Sequence, residues 1–204
     1  NFAINSFGKK NSNKFFYIIN RSPGAGLFSN VTFVLNHLSI CQIFNFIPII
    51  DMENFLTIYN ERKKVNKTLN AWLYYFKPLN NYNLKEVYKS KNVIFCNSNF
   101  QKKMIYHMTN IKLRFFFNKI KINNKFVKQS NYLYNNFFDK KDKVLGLHFR
   151  GSTYKVARGH AFPPTTNLMI KNINYLMKKY KYNKIFLVTE EQKYLNILKK
   201  KIFK

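Results

Sequence analysis

Lys14-Phe-Phe-Tyr-Ile-Ile-Asn-Arg-Ser-Pro-Gly-Ala-Gly26 is a run of aromatic and β-branched residues that breaks abruptly into a Pro/Gly turn. Its composition predicts a strand over 14–20 and a turn over 21–26. Leu27, Val31, Val34, Leu35, Leu38 and Cys41 then recur near the 3.6-residue period, which predicts a helix packing one face against a sheet. Phe46-Ile-Pro-Ile-Ile-Asp51 is a second short apolar strand, ending in a carboxylate. Strand, glycine turn, helix, strand is the unit from which parallel sheets are built, so the chain reads as α/β from its start.

The same alternation extends outward. Residues 54–84 form an aromatic and polar excursion bounded by Pro78 and an Asn-rich turn, and Val93-Ile-Phe-Cys96 resumes the strand pattern. Helices are expected at about 99–116 and 124–138, the second bridging two halves. After the charged break Lys140-Lys-Asp-Lys143, Val144-Leu-Gly-Leu-His-Phe149 reads as a buried strand. A loop from Gly151 to Pro164, a helix at about 165–180, the strand Lys184-Ile-Phe-Leu-Val-Thr189 and a helix from Glu190 to Phe203 complete the chain. The expected architecture is two Rossmann-like halves, 1–138 and 139–204, the second short enough to read as truncated.

With 204 residues, 46% of them hydrophobic, the chain can bury a core. Its formal charge is +28, with eight carboxylates against 36 Lys and Arg. An A/T-rich coding bias explains the Asn, Lys, Ile, Tyr and Phe but should also have enriched Glu. Attraction to phosphates, anionic headgroups or nucleic acid is the functional alternative. Cys41 and Cys96 are too few and too far apart for a disulfide framework or a CxxC metal site, which fits a reduced cytoplasmic compartment. No run approaches the roughly 18 apolar residues of a membrane span.

Several groups could carry chemistry. Gly24 and Gly26, between strand and helix, let backbone N–H groups approach a ligand, or form a plain tight turn. His148 and Arg150 alternate with Leu147 and Phe149, so the polar pair shares one face of its strand and reaches the strand's carboxyl end, where α/β folds bind ligands. A structural salt bridge competes with that reading, although the only acids close in sequence are Asp139 and Asp142. Thr189, Glu190 and Glu191 close the next strand and either cap a helix or bind a sugar or base hydroxyl. Asp51 and Glu53, with Glu61, Asn60 and Tyr59 beyond, offer carboxylates at the second strand's end. Trp72, Tyr74 and Tyr75 supply stacking faces or core. His37, His107, His148 and His160 show no metal-ligand spacing, and no nucleophile motif appears.

Three of these motifs, in order, resemble the GDP-fucose-dependent fucosyltransferase superfamily, which includes α-1,2- and α-1,6-fucosyltransferases, the nodulation enzyme and protein O-fucosyltransferases. Pro23-Gly-Ala-Gly-Leu-Phe-Ser-Asn30 is similar to the family's first glycine-rich loop, His148-Phe-Arg150-Gly151 to its His-x-Arg signature, and Ile185-Phe-Leu-Val-Thr-Glu-Glu191 to the donor-site strand ending in Thr or Ser and acids. Ser152 and Thr153 stand where relatives commonly carry Asp.

The resemblance implies a GT-B-like transferase that moves fucose from GDP-fucose to a glycan or glycoconjugate hydroxyl, with inversion and without metal or other cofactor. It places donor binding in 139–204, on His148, Arg150, Gly151, Ser152, Thr153, Thr189, Glu190 and Glu191, with Gly24 and Gly26 facing the crevice. Acceptor binding falls in 1–138, on Tyr59, Asn60, Trp72, Tyr74 and Tyr75. Arg150 would stabilise the leaving diphosphate, and Asp51, Glu53 or Glu61, or no protein base at all, would take the acceptor proton. The expected protein is cytoplasmic, with peripheral contact at the inner face of an anionic membrane. Competing with this are a basic RNA- or membrane-binding module, for which no nucleic-acid motif is present, and a truncated inactive relative.

Overall fold

The backbone pairings of the first half are those of a mixed sheet with parallel centre. Its strands are β1 (Ile4–Asn5), β2 (Lys10–Ile19), β3 (Ile47–Ile50) and β4 (Ser90–Phe95), in the spatial order β1-β4-β2-β3. β2 runs parallel to both β3 and β4, and β1 is antiparallel to β4. The computed structural model describes residues 2–20, 26–96, 118–150 and 164–202. The helix expected at 99–116, Gly24 and the Gly151-Ser152-Thr153 stretch lie outside the described residues.

β2 alternates its side chains between two apolar faces. Tyr17 and Ile19 pack with Ile50, Ile94 and helix α1 (Leu27–Ile43), while Phe16 and Ile18 pack with Ile49, Val87 and Val93 on the other side. Both faces are therefore covered, as a parallel sheet requires. Each such side chain, taken fully out of water, contributes about 1.5–3 kcal/mol. Inside this core the Tyr17 hydroxyl and His37 Nδ1 lie 3.0 Å apart, tying β2 to α1. α1 is buried more completely than the single stripe expected of it. Asn30, Phe33, His37, Ser39 and Ile40 are buried beside the periodic residues, because the run from Val31 to Leu38 is apolar on nearly every side.

The second half holds β5 (Val144–Phe149) and β6 (Lys184–Thr189), which pair in parallel register along their whole length, from Val144 beside Lys184 to Phe149 beside Thr189. Helices α5 (Thr166–Tyr180) and α6 (Gln192–Ile202) cover one face, meeting at Phe149, Ile173 and Leu198. The Thr165 hydroxyl accepts from Leu168 N–H at 3.3 Å and caps α5. β5 is not the doubly buried strand its composition suggested. Gly146 and His148 are exposed, as are Phe186 and Val188 beside them on β6, so among the described residues only the odd-numbered face is covered.

Two smaller helices, α2 (Trp72–Tyr75) and α3 (Leu84–Val87), interrupt the excursion after β3, and α4 (Asn124–Phe137) follows β4 in the described chain. The molecule divides into two compact units, Asn1–Asn131 and Tyr132–Lys204. No helix among the described residues is long and apolar enough to cross a membrane.

Candidate functional site

The parallel register of β5 and β6 brings their carboxyl ends level, and the residues just beyond meet. Arg150 Nε donates to Glu190 Oε1 at 3.0 Å, with both side chains about half exposed (50% and 47%). The acid that answers Arg150 is thus Glu190. Asp139 and Asp142, its neighbours in sequence, do not serve: Asp142 instead takes the Lys184 ammonium at 2.7 Å, and that contact holds its carboxyl below the usual carboxylate range. His148 lies two residues before Arg150 on the exposed face of β5.

Thr189 does not cap α6. Its hydroxyl accepts from Glu191 N–H at 3.3 Å, a local turn, and it is the Glu191 carbonyl that receives the first α6 amides, from Tyr194 and Leu195. The Thr189-Glu190-Glu191 corner therefore presents a hydroxyl and two carboxylates beside a guanidinium, at the strand ends where α/β folds gather ligands.

In the first unit the strand ends are heavily stapled. Asp51, fully buried, accepts from Glu53 N–H (3.1 Å), Asn54 N–H (2.9 Å), Asn54 Nδ2 (2.9 Å) and the Tyr88 hydroxyl (2.6 Å). Burial, then the hydrogen bond to Asp51 and its negative charge, push the Tyr88 phenol well above its ordinary range. A carboxylate so fully engaged orders its loop. Glu53 and Glu61 are exposed on the same excursion.

Beside them, the Cys96 thiol reaches the Asn20 carbonyl and side-chain oxygens at 3.1 and 2.9 Å, linking the ends of β2 and β4. Burial drives that thiol up to about 11.

The residues read as acceptor contacts separate into two groups. Trp72 and Tyr74, 2% and 3% exposed, belong to the core with Phe76, and so provide no open stacking face. Asn60 is a brace: its amide oxygen accepts from Thr57 N–H (2.7 Å) and Thr57 Oγ1 (3.0 Å), and its Nδ2 donates to the carbonyls of Met52 and Leu69. Tyr59 and Tyr75 are half-buried, with rings 6.4 Å apart. The Tyr59 hydroxyl accepts from Leu27 N–H at 2.7 Å and so supplies α1 with the cap that Gly26 lacks. Gly26 itself has an ordinary extended backbone, and among the described residues a Cβ added there would meet only the Tyr59 hydroxyl, at 4.0 Å.

A cleft of about 600 Å³ runs along the outer edge of β3. Of the expected residues Glu53 and Trp72 line it, joined by Lys64, Lys67, Asn70 and Lys85. Nothing in the sequence periodicity marks this cleft, because its walls come from the irregular excursion. Among the described residues no group of three or more His, Cys, Asp or Glu side chains is placed to hold a metal ion.

No protein-family model and no curated protein matches the chain. Its fold does match solved structures. The crystal structure of NodZ alpha-1,6-fucosyltransferase soaked with GDP-fucose aligns with a TM-score of 0.56 at 14% sequence identity, covering 91% of this chain and 74% of that one. The crystal structure of fucosyltransferase NodZ from Bradyrhizobium aligns with a TM-score of 0.53 at 14% identity, covering 91% and 75%. At that identity the likeness is one of fold alone.

Proposed function

We propose that this chain is a glycosyltransferase that uses a GDP-sugar, with GDP-fucose as donor, and transfers the sugar with inversion to a hydroxyl of a glycan or glycoconjugate. The observation that carries the reading is Arg150 at the carboxyl end of β5, set 3.0 Å from Glu190 at the end of the adjacent parallel strand. A fold shared with solved fucosyltransferases supports it.

On this reading the second unit binds the donor. The Arg150 guanidinium grips the diphosphate and neutralises the charge that grows on it as the glycosidic bond breaks, which lowers the barrier most where the charge is largest. His148 adds a donor on the same face. Thr189, Glu190 and Glu191 accept from ribose or guanine, and Gly151, Ser152 and Thr153 contribute to the same donor site. The cationic surroundings meet the leaving diphosphate without a metal.

The first unit binds the acceptor, in a GT-B-like arrangement of two halves. Glu53 or Glu61 takes the acceptor proton, since Asp51 is committed to its four hydrogen bonds. Peripheral contact with anionic lipid fits α5 and α6, which carry no acid and expose Lys178, Lys179, Lys199, Lys200 and Lys201.

Thermal-shift titration against GDP, GDP-fucose, GDP-mannose and UDP-sugars tests the reading. Stabilisation by the guanine nucleotides and not by the UDP-sugars is expected. No shift with any of them, or equal shifts with all, contradicts it.

A further inference from the structure

We propose that the cleft along the outer edge of β3 binds an acidic saccharide, one whose sugars carry carboxylate or sulfate groups. That this saccharide is the transfer acceptor rests on the glycosyltransferase reading above; the ligand class does not.

The edge itself comes first. Among the described residues β3 is an edge strand of its sheet, and an open edge ordinarily invites another strand. Here the Asn80 and Asn70 side chains donate to the Pro48 and Ile50 carbonyls at 2.6 and 2.7 Å, and Pro48 has no N–H to offer. The edge is thereby closed to β-addition and turned into a wall of side-chain amides. The space beside it, about 600 Å³, is the size of a small-ligand site.

Trp72 lines that space, and its indole Nε1 is buried with no acceptor among the described residues. With its ring only 2% exposed, Trp72 forms part of the cleft wall and reports on its occupancy without itself touching a ligand. The amides open to the cleft are those of Asn81 and Asn83, both exposed along its lining, and side-chain amides suit a polyhydroxylated ligand.

Charge narrows the class. Lys64, Lys67 and Lys85 face the cleft against Glu53, and the three ammonium groups are exposed with no carboxylate partner among the described residues. Lys67 is held there at a price in backbone energy. It and Asn66 occupy the left-handed region (φ 68° and 51°) in a tight turn closed by hydrogen bonds between Val65 and Thr68 (2.9 and 3.1 Å). Such turns favour glycine at that place, and strain of this kind collects at functional positions.

The single tryptophan of the chain is Trp72, so tryptophan-selective fluorescence reads this cleft directly. Full-length protein is titrated, without nucleotide, with tetragalacturonate, with neutral chitotetraose and with a uridine oligonucleotide. Two triple variants of equal charge are compared: Lys64/Lys67/Lys85→Gln, and Lys199/Lys200/Lys201→Gln on α6. The expected result is a saturable change with tetragalacturonate, at least about tenfold weaker with chitotetraose, lost by about tenfold or more in the cleft triple and nearly kept in the α6 triple. Equal loss in both triples, or stronger binding of the oligonucleotide, would show general attraction to polyanions and overturn the proposal. Equal binding of chitotetraose, or no change in fluorescence, would overturn it as well. Because no nucleotide is present, these results stand or fall apart from GDP binding by Arg150.

Discussion

Arg150 and Glu190 are 40 positions apart in sequence and 3.0 Å apart in space, joined because β5 and β6 end at the same level. Both side chains are half exposed, and an exposed ion pair contributes at most about 1 kcal/mol. A diphosphate, with more charge and more acceptor oxygens, can therefore displace Glu190 from the guanidinium. Glu190→Gln should tighten the binding of inorganic pyrophosphate by up to about fivefold, the equivalent of about 1 kcal/mol. Competition of pyrophosphate against a fluorescent GDP analogue measures this; weaker binding in the variant would show that Glu190 positions the arginine and does not compete for it.

Asp51 and Tyr88 form the brace beneath the excursion after β3. Tyr88→Phe removes one hydrogen bond to a buried carboxylate and should cost about 1.5–3 kcal/mol of unfolding free energy. Asp51→Ala strands several donors at once and should cost more than Tyr88→Phe does. Urea unfolding of both variants checks the order. A stable Asp51→Ala protein with lost transfer would restore Asp51 as a catalytic carboxylate.

Tyr59 serves α1 and not, by that hydroxyl, a ligand. Tyr59→Phe should lower stability by about 1 kcal/mol through the lost cap. Gly26→Ser offers a cap of its own, clear of the described residues, and should be neutral or stabilising by about a few tenths of a kcal/mol. Thermal melts of the two variants decide the matter, and severe destabilisation by Gly26→Ser would show that this turn demands glycine.

The first unit should weaken in alkali. Burial raises Cys96 from its ordinary 9.0 to about 11, and raises Tyr17, Cys41 and Tyr88 further. The folded state thus keeps protons that the unfolded chain releases above about pH 9, so stability from these groups is fully present below that pH and declines as pH rises through the folded values. The urea midpoint should hold between about pH 7 and 8.5 and fall by pH 10.5. A midpoint unchanged at the higher pH would contradict the burial of these groups.

The alternation of Phe16 and Ile18 with Tyr17 and Ile19, the glycine turn and the helical period after it made β2, α1 and β3 legible, and the pairing of His148 with Arg150 on one face was legible for the same reason. These patterns are local. The partner of Arg150 was not, because parallel register is set by a crossover and no spacing in the chain encodes it. The asparagine braces were hidden differently. Asn60, Asn70 and Asn80 close backbone carbonyls of the excursion and of β3, and Asn54 holds the Asp51 carboxylate, but in a chain so rich in Asn the composition conceals which ones do so. Trp72 and Tyr74 lie where no periodicity separates a core ring from an exposed one, and only the fold sends them inward.

The central claim, a GDP-sugar site built on Arg150, is tested most directly by calorimetric titration of GDP into the native protein and into Arg150→Lys. The lysine keeps the charge but loses the guanidinium fork, so GDP affinity should fall by about 1.5–3 kcal/mol, roughly tenfold or more, while the melting temperature stays close to native. Undiminished GDP affinity in a folded Arg150→Lys protein, or no heat of binding in the native one, would contradict the account.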